Sequence, residues 1–449
     1  MNKLKQIWSN LRSSFWFVPS LIVTVSIALA VALVEVGSTW SDQWLARWPI
    51  LFGGGAEAAR GMLSTIAGSM ITVAGVTFSM TLVTLALASS QYTSRILRNF
   101  MRDRVTQVVL GIFTGIFTYC LVVLGTIRGG EESPFIPNLA VSFGVILAIG
   151  GISVLIFFIH HIASSIQASN IIASVAAETM ITVDRHFPEE LGNGLVDGDE
   201  DQPPLPLPER RWQAVAARGN GYIQNVDIAA LLCLAREHHT IVRMEQSIGA
   251  FVVQDTTLAL LALEDPPGKK IIADLQAAYS INRYRTVEND SAFGIRQIVD
   301  MALRALSPST NDTTTAVMCV DYLTAILAQL APRQIPSSRH YEEGKLRVLT
   351  IGPTFEDLLA ESFDQIRGSA KGNAAIMLRI LGALQTIAGL TASPARRRAL
   401  HDQVLWITEL AERTIASVYD RERIDKRLAR VRKTLEAEPV LCTEKEKQT

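Results

Sequence analysis

In the first third of the chain the polar positions thin out into four long apolar runs, at about residues 15–34, 61–88, 107–127 and 138–159. No Asp, Glu, Lys or Arg interrupts any of them. A helix needs about 20 apolar residues to cross the hydrocarbon of a bilayer. One buried helix of a soluble protein can be this apolar, but four in succession predict four transmembrane helices. Pro19 falls in the first turn of the first run, where a missing N–H costs little. Beyond residue 160 the spacing of Ile166, Ile171, Val175 and Met180 keeps a helical period to about Phe187. This predicts that the fourth helix leaves the membrane as a stalk, so that residues 1–187 form a transmembrane domain. The stretch 188–210 is acidic and then proline-rich (Asp197, Asp199, Glu200 and Asp201, followed by Pro203, Pro204, Pro206 and Pro208) and reads as a linker.

At residue 211 the period changes. Two short strands are expected around a Gly219–Asn220–Gly221 turn, then a helix at about 227–238, then strands within 240–244, 249–253 and 257–263. This order resembles the small barrel-sandwich modules of lipoyl-like domains, so 211–265 is expected to be a small β-barrel-like module. It has no lysine at a hairpin tip, which makes it a structural module with no cofactor to carry. Residues 266–449 are expected to be mainly helical, with helices near 269–280, 291–306, 355–367, 374–390, 394–419 and 421–436, a further helix capped at Asn311 or Asp312, and a strand in KLRVLTIG. The expected fold is thus four transmembrane helices plus an α+β domain.

Charge adds direction. Lys3, Lys5 and Arg12 precede the first run, and Arg95, Arg98, Arg102 and Arg104 follow the second. The other two loops mix Arg47, Arg60 and Arg128 with Asp42, Glu57, Glu131 and Glu132. This bias places both termini, and the large domain, in the cytoplasm. Trp40, Trp44 and Trp48 recur every four residues in the first outer loop, as an interfacial anchor would. The formal net charge of −1 over 449 residues gives no polycationic footprint for nucleic acid. The four cysteines are scattered and form no CxxC pair, so neither a metal site nor a disulfide framework is expected. His160 and His161 close the fourth run, where an interfacial structural role competes with a metal-binding or proton-relay one.

Two constellations are candidate sites. Steps of four and three along the second run give Gly61, Thr65, Gly68, Thr72, Gly75, Ser79, Leu82, Ala86 and Ser89, a face that is small or hydroxylated except at Leu82. Such a face suits tight helix packing, within or between protomers, and it also suits the lining of a water-filled path. Gln91 and Arg95 then lie at its inner mouth. In the helical part, Arg296, Asp300 and Arg304 are four residues apart and can form a charge ladder leading to the Ser307–Pro308 break. The corner is either a polar helix–turn–helix or a ligand site where Arg296, Arg304, Asn311 and Asp312 converge.

Three stretches, TFSMTLVTLALASSQYTSRIL, GYIQNVD and AFGIRQIVDMALRALSPSTND, resemble the DUF2254 family of predicted bacterial membrane proteins over nearly the whole chain. The family pattern ALSP–x–x–ND–x–x–TA is matched by Ala305, Leu306, Ser307, Pro308, Asn311, Asp312, Thr315 and Ala316, with Thr313 where members often carry proline. The resemblance implies a bacterial inner membrane and no particular activity. Two function classes remain. One is a homo-oligomeric ion channel with the second helix facing the pore and a cytoplasmic regulatory domain. The other is a non-transporting sensor or scaffold that binds a ligand or partner through that domain. A carboxylate or histidine at mid-membrane, which a proton-coupled transporter more often uses, is missing from the runs. No P-loop, GxSxG, HExxH or acid/base pair favours an enzyme.

Overall fold

The computed structural model describes residues 16–39, 55–91, 104–128, 135–165, 167–187 and 211–437. The tryptophan-bearing loop, Arg95, the acidic proline-rich linker and Cys442 lie outside these residues. The chain divides into two compact units, Met1–Gln167 and Ala168–Thr449.

The first unit consists of α1 (Phe17–Thr39), α2 (Ala56–Gln91), α3 (Arg104–Thr126) and α4 (Asn138–Ser165). Each overlaps an apolar run. The helices outlast the runs, and α2, which begins in the good helix formers AEAAR, reaches 36 residues, about 54 Å at 1.5 Å per residue. Helix α3 is the hub and packs on α1, α2 and α4. Its contact with α1 is built on Gly111 and Gly115. A Cβ at Gly111 would come within 2.6 Å of Ile22 and 3.1 Å of the Pro19 backbone, and one at Gly115 within 2.6 Å of Ser26 Oγ. Two glycines of α4 do the same on its other side: Gly144 meets Leu63 and Tyr119, and Gly151 meets Met70 and Ile116. The Tyr119 hydroxyl donates to the Ala140 carbonyl at 2.7 Å, and Arg60 donates to the Ile127 carbonyl at 2.7 Å. The outer face of α4 is the reverse of a soluble helix, with Ile146, Ile149, Ile152, Ile156 and Phe157 exposed.

The second unit begins with α5 (Ala168–His186), a helix separate from α4. The expected stalk residues Ile171 and Val175 are buried in this unit, where α5 packs on α8 (Ser291–Ala305) and α9 (Thr313–Leu330). At the α5–α8 crossing, a Cβ on Gly294 would lie 2.0 Å from Thr179 Oγ1. That contact explains the glycine in AFGIRQ.

The β-region corrects the sequence reading. Strands β1 (Trp212–Ala216), β2 (Gly221–Val226), β3 (Val242–Met244), β4 (Phe251–Val252) and β5 (Thr257–Ala262) form where expected, as does α6 (Ile228–Glu237) after β2. They do not close into a barrel. Residues 279–349 contribute β6 (Tyr279–Asn282), β7 (Arg339–Glu342) and β8 (Lys345–Leu349), and two open sheets result, ordered β1-β5-β3-β8-β7 and β4-β2-β6. The strands flanking Gly219–Asn220–Gly221 are not a hairpin: β1 pairs with β5, whereas β2 pairs with β4 and β6. Strands of two to six residues leave edges and apolar faces that local pairing cannot cover, so the sheet takes β8 in parallel beside β3.

Helix α7 (Lys269–Ala278) packs on β1 and β6, whereas α10 (Phe355–Ser369), α11 (Ala374–Ala388), α12 (Pro394–Thr414) and α13 (Val418–Glu436) pack on one another and, through α10 and α11, on α8 and α9. Side-chain caps set several starts, including Asp290 for α8, Asp312 for α9, Thr354 for α10 and Ser393 before Pro394 for α12. Arg396 is fully buried, and its guanidinium donates to the carbonyls of Ala331 and Arg333, which close α9. Among the described residues five helices are long and apolar enough to cross a membrane: α1 to α4, and α9. The apolar side of α9, including Cys319, Leu323, Leu327 and Leu330, is buried within the second unit.

Candidate functional site

The small face of α2 points away from its own unit. Ala59, Leu63, Ala67, Met70, Ala74 and Thr77 are buried against the neighbouring helices. At 100° per residue, Gly61, Thr65, Gly68, Thr72, Gly75 and Ser79 fall on the opposite side, and all six are exposed. A Cβ at Gly61, Gly68 or Gly75 would meet nothing within 4 Å. Among the described residues the face therefore does not serve packing within the protomer. The Thr65 and Thr72 hydroxyls donate to the Gly61 and Gly68 carbonyls, each at 2.8 Å. Their donors are satisfied inside the helix while their lone pairs face outward. Gln91 is the last residue of α2.

At the α8–α9 corner the candidate residues take separate partners. Arg296 pairs with Asp300 at 3.0 Å and with Glu361 of α10 at 3.2 Å. Arg304 lies exposed two helical turns further on. Ser307 Oγ donates to the Arg304 carbonyl at 2.8 Å. Asn311 adopts φ +47° and its N–H donates to the Ser307 carbonyl at 2.9 Å. The Asp312 carboxylate accepts the Thr315 hydroxyl at 2.6 Å and the Thr315 N–H at 3.0 Å, and these bonds hold its pKa below the usual carboxylate range. Thr313 accepts a hydrogen bond from Asn373 at 3.2 Å. These are the contacts of a capped helix–turn–helix.

The second unit also holds a site that the sequence reading did not assemble. A cavity of about 990 Å³ is bounded by the end of α5, the 225–228 and 244–250 segments, the 285–292 approach to α8, and the 335–340 and 350–357 segments. Arg285 and Asp290 form a forked ion pair on one wall, with Nε to Oδ2 at 2.8 Å and Nη2 to Oδ1 at 3.0 Å. Asp290 is 6% exposed and also accepts the Phe293 N–H at 3.0 Å as the cap of α8. Burial pushes its carboxyl pKa up, while Arg285 and the amide pull the other way. Gly249, at φ +86°, rests directly on the pair: a Cβ there would lie 2.4 Å from Asp290 Oδ2 and 2.8 Å from Arg285 Nη2.

Two histidines line the same space. His186 Nδ1 is 3.0 Å from the Thr182 carbonyl. A carbonyl only accepts, so Nδ1 carries a proton and donates to it. His340 Nε2 lies 3.1 Å from the Thr350 hydroxyl. Glu356 and Asp357, in the first turn of α10, add two carboxylates beside the amides and hydroxyls of Asn225, Ser247, Asn289 and Ser338, and Asp357 accepts the Thr354 N–H at 3.0 Å in a capping box. Among the described residues no three His, Cys, Asp or Glu side chains are grouped to hold a metal ion. In the sequence, the local signals were the Asn289–Asp290–Ser291 cap before an apolar helix and the glycine of SIGAF. Neither reveals that these segments meet.

The chain matches the profile of DUF2254, described as a predicted membrane protein, over residues 12–386. Uncharacterised proteins of Mycobacterium bovis and of Mycobacterium tuberculosis H37Rv are each 31% identical over 445 residues, covering 97% of this chain and 83% of theirs. No solved structure matches it significantly. The matched segment takes in α1 to α4 and all the walls of the cavity, and the chain belongs to the DUF2254 family of predicted membrane proteins.

Proposed function

We propose that the protein is a multi-pass protein of a bacterial inner membrane that self-associates through the small face of α2 and conducts a small ion beside that helix, with the second unit as its cytoplasmic regulatory part. In this reading α1 to α4 cross the bilayer with both termini inside, and α9 is a core helix of the second unit. The observation that supports it is the contrast between two outward faces. The outer face of α4 carries mostly isoleucine and phenylalanine, as a lipid-facing surface does, whereas on the exposed side of α2 a stripe of glycine, threonine and serine, with open space over every glycine, runs among bulky residues such as Met62, Ile71, Val76 and Val83. Lipid offers such a face no particular partner, whereas a second helix gains close backbone approach and hydroxyl contacts of about 0.6–2 kcal/mol each.

The test pairs the oligomeric mass in detergent with ion flux into liposomes. Self-association and flux are expected for the native chain, and both should fall in Gly68→Leu and Gly75→Leu proteins. A monomer, or flux that these substitutions leave untouched, refutes the reading. A second reading, a non-transporting sensor, is favoured by the cavity of the second unit. It predicts ligand binding with no flux at any voltage or pH.

A further inference from the structure

The cavity has walls of two kinds. Met244, Ile248, Ile335 and Ile351 give it apolar surface, and at about 990 Å³ it is of the size that encloses small organic molecules. Its polar groups are unequal in charge. Among the lining residues the single guanidinium, Arg285, is already forked onto Asp290. Glu356 and Asp357 have no cationic side chain within ion-pair distance among the described residues. One first-turn amide of each of α8 and α10 is taken by a cap from within the chain. Asp290 takes the Phe293 N–H, Thr354 takes the Asp357 N–H at 3.1 Å, and Asp357 takes the Thr354 N–H. The lining therefore carries three carboxylates against one guanidinium, and that guanidinium is already paired.

We infer that this cavity is the binding site of an organic cation, a primary ammonium or guanidinium on an apolar body. The charge sits at Glu356 and Asp357, and the body lies against Met244, Ile248, Ile335 and Ile351. The inference does not depend on α2 self-associating or conducting, so the two can fail separately.

The experiment uses the full chain in lipid nanodiscs, with empty nanodiscs as blank. Calorimetric titration compares phenylbutylamine with phenylbutanol and phenylbutyrate, three probes that share a body and differ in charge. The amine should bind about tenfold tighter than the alcohol, and the acid more weakly than either. Glu356→Gln should remove about a tenfold share of the amine's affinity and leave the alcohol unchanged. Because Glu356 stands in the first turn of a helix, its melting temperature is recorded alongside. Ile351→Trp, at a side chain 47% exposed, narrows the cavity without entering the core and should weaken amine and alcohol together. The inference is overturned by three results: tightest binding by the acid, an unchanged amine affinity in a stably folded Glu356→Gln protein, or no binding of any probe at millimolar concentration.

Discussion

Glycines occur in rows on three helices of the first unit, and the rows have opposite surroundings. Gly111 and Gly115 of α3, with Gly144 and Gly151 of α4, each meet a neighbouring helix closely enough that an added methyl would touch it within 3.4 Å. Gly61, Gly68 and Gly75 of α2 stand in open space. In sequence the α2 row is the more conspicuous, since it is longer and interleaved with hydroxyls. Small size licenses close approach, but the fold decides whether anything approaches. The packed rows explain why this unit holds together as one chain. The open row is a surface left for something else, which we have proposed to be further copies.

The largest expected effect breaks the packed row. Gly115→Leu drives a branched side chain into Ser26 and Ile22, and overpacking of this kind costs about 1–3 kcal/mol or more. The protein should lose its monodisperse peak in detergent and its cooperative melt. Gly68→Leu, on the outward side of the adjacent helix α2, should melt like the native chain while its oligomeric mass and flux fall. Equal melting losses in the two proteins would erase the distinction between the rows.

The second unit offers the same comparison with smaller stakes. Gly294→Ala places a Cβ against Thr179 and should cost about 1–3 kcal/mol, partly recovered by pairing it with Thr179→Ala. Thermal melting of the two single variants and the double variant measures the coupling, and strictly additive losses would contradict the contact. Gly249→Ala combines left-handed backbone with an encounter with Arg285 and Asp290. A cost of about 1–2 kcal/mol is expected, together with weaker binding of the amine probe, because the ion pair forms the cavity wall.

The smallest expected effect is at the corner. Asp312→Ala removes the cap of α9 and should cost about 1 kcal/mol near neutral pH. The pKa of Asp312 is lower folded than unfolded, so its stabilisation is complete above the unfolded value of about 3.9 and disappears as pH falls through the lower folded value. Melting temperatures of native and variant proteins should therefore converge on acidification. If Asp312→Ala instead left stability intact and abolished binding or flux, the corner would be a ligand site and its capping role secondary.

Some of this was legible without a fold. Charge-free apolar runs show which segments are compatible with hydrocarbon, because that property is additive along twenty residues and needs no partner. Caps are equally local: Asp227, Asp312 and Ser393 each satisfy an amide within three residues, and α6, α9 and α12 start where those residues predict. Strand positions were readable for the same reason, from alternation within 212–226 and 240–263.

What needed the tertiary structure was every question of partnership. Pairing of β1 with β5 rather than β2, and of β3 with a strand about a hundred residues later, depends on which edges remain uncovered after the core forms. The direction of the α2 face depends on which side α3 and α4 occupy. The cavity joins six stretches between residues 182 and 357, and no window of sequence contains more than a fragment of it. Hydropathy and capping are properties of a segment and its solvent, so the chain by itself determined them. Packing, pairing and charge compensation are properties of two or more segments at once, and those only the fold decided.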